Sequence, residues 1–502
     1  MRFLASRKWR LFIVLWIVYS VHFATNVVRE HYPAFSLVDH GTFRVDEYQG
    51  FHSDIFVHTD GHSVIGNQVF VSMLAAVPLW VFDPVLDALE RHSREKIARE
   101  GVKDAEYRID KPNRVNFFRL VKERGLDLRF GAATAVTTIF FMAPLTAAFL
   151  VFFYAVLVRR LVDPRTATWM TLLLGLGTPL FFRTSSLNHN MFVMYAMFNA
   201  FALMWLTPAG SAMTVRRRLL AGLFAGITIA TDYIGVVIIP LLLGYFIWRR
   251  MRESTLGTAV LESGAIVAGM LPPIAFLLYS QWAMYGNAFL PGQYWMPDQN
   301  IFVHQGMRGF TLPDPQLMLL NLFDPAYGLF TWAPVMALAF LPIARQGDSA
   351  VLPLLERRWV WLTFAALLLF VSSNQYSRLQ FNSGFRYLVP LLPLLMLVAA
   401  DVWRRLGRGA RIAITVVAVL HAWVLTVFRE PVVTSFRMFL DEGLQLPWYR
   451  VLGLTSQSGN PWLGTWWVPA AILVIMAAVL TALWRYGARL ETGARLETVH
   501  AR

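Results

Sequence analysis

The sequence predicts an all-α polytopic membrane protein with about twelve transmembrane helices, and three observations carry that prediction. The 502 residues are 56% hydrophobic with a mean hydropathy of +0.49, and only 15% are charged, against about a quarter in a soluble domain. So little polar surface cannot cover so much apolar surface in water, which excludes a soluble enzyme, a disordered chain and a secreted module. Apolar runs close to the roughly 20 residues needed to span a bilayer recur along the chain. Basic residues gather at alternate ends of those runs, as the positive-inside bias requires.

Taken in order, spans are expected near 11–28, 131–157, 167–182, 191–207, 219–231, 234–248, 258–280, 327–344, 359–373, 387–403, 411–427 and 467–484. Arg7, Lys8 and Arg10 precede the first, and Arg159–Arg160, Arg216–Arg218, Arg249–Arg252, Arg345–Arg358, Arg404–Arg411 and Arg485–Arg489 follow alternate later ones. Both termini and these turns are therefore expected in the cytoplasm, with the chain in the inner (plasma) membrane. The first run continues into a large loop without a small-residue cleavage site and is expected to be a retained anchor. The stretch 69–86 is left out of the spans. A crossing there would put every later arginine cluster outside, and the stretch also holds Pro78, Asp83 and Pro84. A juxtamembrane or re-entrant segment is expected instead, which makes 29–130 a single extracytoplasmic loop. Its half from Arg91 to Arg129 is basic, as an amphipathic helix on anionic headgroups is. Further outside loops are expected at 281–326 and 428–466. One membrane domain thus covers 1–486, and a polar cytoplasmic tail covers 487–502, where GARLET occurs twice.

The formal charge of +14 is accounted for by these turns, so no nucleic-acid partner is expected. The absence of cysteine excludes disulfides, thiolate metal sites and cysteine nucleophiles. Ionisable groups crowd the first loop. Asp46 and Glu47 are followed by His52, Asp54, His58, Asp60 and His62, all at even positions. If 52–62 is extended, these five side chains share one face. A carboxylate there is a candidate general base: Asp54 and Asp46 rank equally, Glu47 next and Asp60 behind. A divalent metal on His52, His58 and Asp60 is the alternative use of the same residues; no cofactor is otherwise expected. Asp232 and Tyr233 interrupt an apolar run at its outer turn, where an acid is either functional or a helix cap. His189 opens the fourth span. Arg378 and Arg386, next to Tyr387, lie outside against the charge bias, which suits either a bidentate grip on phosphate or an ion pair with a loop carboxylate.

Several stretches then resemble one family in order. SLVDHGTFRVDEY, SDIFVHTDGH, SSLNHNMF, LLAGLFAGITIATDYIGVVIIPLLLGY, YSQWAMYGNAFLPGQYW, LFDPAYGLFTWAPVMALAFLP and NSGFRYLVPLLPLLML look like parts of bacterial GT-C fold, polyprenyl-phosphate-dependent glycosyltransferases, relatives of protein mannosyltransferases and aminoarabinose transferase. The resemblance covers roughly 20–400. It implies a GT-C-like fold, a polyprenyl-phosphate sugar donor in the membrane lipid, inversion in a single displacement, and a glycan, lipid or protein acceptor of the cell envelope. Arg386-Tyr387 resembles the family's Arg-Tyr motif, and the candidate substrate contacts are Arg386, Tyr387, Arg378, His189, Asp232 and His62. The chain departs from the pattern twice. Asn26-Val27 stand where many members carry an Asp-Glu pair, and the stretch after Gly61-His62 lacks the lysine and proline of nearer members.

The expected function is hexosyl or pentosyl transfer on the extracytoplasmic face, with a loop-one carboxylate as base. No glycine-rich phosphate loop points to a nucleotide sugar. The alternatives are export of a lipid-linked substrate, or a catalytically degenerate assembly partner. Exporters often show internal repeats and mid-membrane ionisable groups; here the acids cluster in a loop and no half-to-half repeat is visible.

Overall fold

The computed structural model describes residues 2–102, 112–160, 162–207, 213–297, 302, 304–342, 350–455 and 462–500. The fold is all-α apart from one small hairpin, Ile55–Val57 paired antiparallel with Ser63–Ile65. Among the described residues, five helices are long and apolar enough to cross a membrane: Phe70–Glu100, Asp127–Arg159, Leu256–Tyr285, Arg408–Phe428 and Trp467–Thr492. Much of their surface is exposed apolar side chain, such as Leu261, Leu271, Val416, Val474 and Ile475. Apolar side chains left facing outward at helical spacing need lipid, not water, beside them. This is a helical, membrane-embedded protein.

The most deeply placed elements are apolar on every side. His189–Trp205 buries nearly all of its residues, and Leu392–Trp403 buries every one; a helix without a polar face belongs inside. Around them the helices Val215–Thr231 and Leu256–Tyr285 approach backbone to backbone. A Cβ at Gly222 would meet Ile266 O at 1.9 Å, and one at Gly269 would meet Leu219 O at 2.1 Å. Small residues at four-residue spacing are what permit such an approach between membrane helices.

Several expected spans are short. Arg7–Val21, His189–Trp205, Val215–Thr231 and Gly235–Arg250 have 15, 17, 17 and 16 residues, about 23–26 Å of helix. The run expected at 167–182 is two helices, Pro164–Leu176 and Pro179–Thr184, parted at Gly177-Thr178. The run expected at 327–344 is not one helix. Leu329–Trp332 is a single turn and Pro334–Phe340 is wound as a 3-10 helix; Pro334 lacks an amide hydrogen and drives Ala333 out of the helical region, to φ −137 and ψ 62. Residues 343–344 of that run, and Arg345, lie outside the described residues. The stretch 69–86 is the first part of the helix Phe70–Glu100, which qualifies as a span by length and apolarity although the charge bias argues against a crossing.

Candidate functional site

The site lies where four connections meet: the segment after the first helix, the hairpin at 55–65, the turn between Thr231 and Gly235, and the loop before Val389. The helix Arg7–Val21 ends at His22, and the chain runs irregularly until the helix His31–His40 begins. Arg29 and Glu30 fall at that start, where the backbone N–H groups of a helix favour an acid. Asp232 closes the helix Val215–Thr231 in an extended conformation, and its carboxylate accepts from Ile234 N–H at 3.0 Å. His189 opens its helix after the extended Asn188.

These residues form one continuous cluster. The two ring nitrogens of His189 face two carboxylates, Nδ1 lying 2.5 Å from Glu30 Oε1 and Nε2 lying 3.3 Å from Asp232 Oδ2. Arg29 joins this pair to Asp54: its Nη2 is 3.3 Å from His189 Nε2, its Nε 3.4 Å from Glu30, and its Nη1 donates to Asp54 Oδ2 at 2.9 Å. His52 sits behind Asp54 and accepts the Asp54 N–H at 3.0 Å. Glu30 is only 3% exposed. Burial pushes its carboxyl up, and the charges of His189 and Arg29 outweigh that and hold it well below the usual carboxylate range. Burial acts upward on Asp54 as well, yet His52, Arg29 and Arg386 bring it below its ordinary value. Both acids are thus carboxylates at neutral pH, able to receive a proton.

Arg386 borders the cluster on the cationic side. Its Nη2 donates to Tyr387 Oη at 3.1 Å and its guanidinium lies 4.6 Å from that ring, while its buried Nε has no partner. No carboxylate pairs with it among the described residues. The loop that presents it is fixed from two sides. Gln380 Oε1 accepts the N–H groups of Arg386 and Tyr387 at 3.2 and 3.1 Å. The buried Arg183 donates to the carbonyls of Ser383, Gly384 and Phe385 at 2.9, 2.7 and 2.6 Å.

Of the residues the sequence singles out, Asp54, His52, His189, Asp232, Arg386 and Tyr387 come together. The others do not join them. The segment 52–62 is not extended, because the chain turns at Asp60-Gly61, with Gly61 at φ +84, and returns as the second strand. The expected shared face is therefore corrected: the five side chains divide among different surroundings. His62 Nδ1 pairs with Asp46 at 3.0 Å, and Asp46 Oδ1 accepts from Ser63 N–H at 2.5 Å. Asp60 lies between Arg44 at 3.6 Å and His58 Nδ1 at 3.5 Å, and the His58 ring packs 5.0 Å from Trp295, apart from His52 and Asp54. Glu47 is exposed and pairs with His40 at 3.0 Å. Among the described residues no three His, Asp or Glu side chains are grouped to hold a metal ion, so the ligand set His52, His58 and Asp60 is not assembled. Arg378 is engaged by Asp314 at 2.6 Å and by Gln375 at 3.1 Å, the ion-pair form of the two expected for it.

Arg29 and Glu30 are candidate-site residues that sequence reasoning missed, and Arg183, which precedes Asn188-His189 in the sequence, supports the loop that carries Arg386. Their signal was present: an arginine and an acid only a few residues beyond Asn26-Val27, and an arginine on the loop side of the third span against the charge bias. Comparison with protein-family models, with curated proteins and with solved structures found no match.

Proposed function

We propose that this protein is an integral-membrane glycosyltransferase of GT-C type, with about twelve spans, cytoplasmic termini and its site on the extracytoplasmic face. It moves one sugar from a polyprenyl-phosphate donor to a hydroxyl of a glycan, lipid or protein acceptor. The observation that carries the reading is an ionised carboxylate, Asp54, placed near a guanidinium, Arg386, that has no carboxylate of its own. Transfer needs those two groups. The acceptor O–H gives its proton to Asp54 as its oxygen bonds to the anomeric carbon, and the bond from that carbon to the phosphate oxygen breaks. The electron pair leaves with polyprenyl phosphate, and Arg386 offsets the charge that develops there. Inversion follows from a single displacement.

Asp54 suits the base better than Glu30, because its side chain is 22% exposed and reachable, while Glu30 is enclosed with one oxygen held by His189 and Arg29. Glu30, His189 and Asp232 hold Arg29, and Arg29 orients Asp54. The test is turnover of the purified chain with polyprenyl-phosphate sugars. Asp54→Asn should lower turnover roughly 100- to 10,000-fold, while Asp46→Asn, exposed and paired with His62, should stay within about threefold of the parent. Equal turnover of Asp54→Asn and the parent overturns the base assignment; no turnover by the parent with any such donor overturns the reading.

A further inference from the structure

The stretch YSQWAMYGNAFLPGQYW has no part in the chemistry above, yet its middle and its last turn fold onto the hairpin that adjoins Asp54. Tyr285, the last residue of its helix, donates its hydroxyl to Ile65 O at 2.5 Å. Gly292 brings the returning chain flush against the hairpin: a Cβ there would lie 2.5 Å from Tyr285 Oη and 3.0 Å from Gly66 O. The turn Gly292–Trp295 then lies beside His58, whose ring is 5.0 Å from Trp295 and 6.1 Å from Tyr285. Tyr285 and Trp295 are nearly parallel, 19° apart at 6.4 Å. Asp54 belongs to the same unit, its carbonyl accepting from Gly66 N–H at 2.9 Å.

Three polar atoms of this wall are buried without a partner: His58 Nε2, Gln293 Oε1 and Trp295 Nε1. Each has lost water and gained no hydrogen bond, which is the costly way to bury a polar atom, and native chains leave few such atoms. Gln293 and Trp295 are half-buried and Tyr294 between them is exposed, so the wall is open to a ligand at that edge, with the His58 side chain enclosed behind it at 8% exposure. Its lining is aromatic faces with amide and ring groups that donate and accept, and its neighbouring charges are Asp60, 3.5 Å from His58 Nδ1, and Arg308, whose Nη1 donates to Tyr294 O at 2.9 Å. A phosphate needs guanidiniums and a polyprenyl tail needs aliphatic surface. A polyhydroxy ring matches this wall, since each hydroxyl both donates and accepts and its C–H face lies well on an aromatic.

We propose that His58, Gln293 and Trp295 form the subsite that holds the sugar ring of the donor, an assignment that rests on the glycosyltransferase reading. The test uses the purified full chain and measures binding of polyprenyl-phosphate mannose, glucose and arabinose, with sugarless polyprenyl phosphate as the reference. Trp295→Phe keeps a ring and removes the N–H; Gln293→Met keeps the size and removes the carbonyl. Each should weaken the best sugar-bearing lipid about three- to tenfold, the loss of one hydrogen bond, and leave polyprenyl phosphate unchanged. Arg386→Lys should weaken both kinds of lipid. Because Gln293 Oε1 has no partner to lose, Gln293→Met should leave the melting temperature unchanged, whereas Trp295→Phe should lower it slightly through the ring contacts it gives up. Unchanged affinity for the sugar-bearing lipids in both variants, or an equal loss for all lipids, overturns the subsite. A parent chain that binds none of the four lipids overturns the glycosyltransferase reading itself.

Discussion

Glu30 is an acid with almost no access to water, and its ionised form survives there because His189 and Arg29 outweigh the cost of burial. A carboxyl whose folded pKa lies below its unfolded value binds its proton more weakly in the native state. The stability it contributes is therefore present above the unfolded glutamate pKa, near 4.3, and is lost as pH falls through the lower folded value. Melting temperature should fall on acidification below about pH 4, and Glu30→Gln should make that fall shallower. At pH 7 the same variant should lose about 1–3 kcal/mol, because it removes the buried carboxylate at His189 Nδ1 and Arg29 Nε while Asp232 and Asp54 stay beside them. An acid-side melting profile of Glu30→Gln that overlays the parent would show the pairing to be energetically idle. Asp232 and Arg386 were legible in the sequence because each breaks a rule of its surroundings, an acid at a span end and an arginine on the outer side, and Asp54 because ionisable groups crowd the first loop around it. Glu30 breaks no such rule. Its place just beyond Asn26-Val27 hints at an acid there, but its partner His189 is 159 residues away, and that pairing leaves no mark in local sequence.

Loops held by fixed contacts, not helices, set the site, and the segment 383–387 shows how. Three consecutive carbonyls are taken by one guanidinium, Arg183, while Gly384 at φ +73 leans on the buried Trp332 ring. A Cβ at position 384 would lie 2.5 Å from that ring and would force an L-residue into the left-handed region. Gly384→Ala should therefore destabilise by about 2–4 kcal/mol, from strain and overpacking together. It should also lower turnover by about 10- to 100-fold, since Arg386 two residues on would shift by a fraction of an ångström to an ångström. Normal turnover and melting in Gly384→Ala would mean that the loop tolerates displacement. Elements of this kind explain the limits of sequence reading. The long apolar helices were legible from hydropathy, but proline broke the run at 327–344 and the Asp60-Gly61 turn reversed a stretch that alternation made look extended. In both places backbone chemistry at one or two residues overrode the pattern of the whole segment.

At the scale of the molecule the open issue is the helix Phe70–Glu100, which length and apolarity place across the membrane and charge places beside it. Its contacts support the second placement. Arg129, 7% exposed at the start of the helix Asp127–Thr137, is bound by Asp39 and Glu90 at 2.6 Å each and lies 3.9 and 3.7 Å from Asp83 and Asp87. Ser93 bonds to Asp127 at 2.6 Å, close to the same knot. This holds Asp83 to Ser93 level with loop-one elements. The other end of the helix follows Gly66, which is tied to Asp54 at the site. If both anchors lie on the side that the charge bias gives the first loop, only 70–82 is left between them, about 20 Å of helix against a hydrocarbon core of roughly 30 Å. The outward stripe Val77, Trp80, Val81 and Val85 suits a helix lying at the interface with its apolar side in lipid. The expectation is that position 100 is extracytoplasmic. The chain contains no cysteine, so a single cysteine introduced at position 100, which is exposed, is a clean reporter. It should react with a membrane-impermeant maleimide in intact cells. Labelling only after lysis would mean that Phe70–Glu100 crosses, and every later turn of the chain would then change sides.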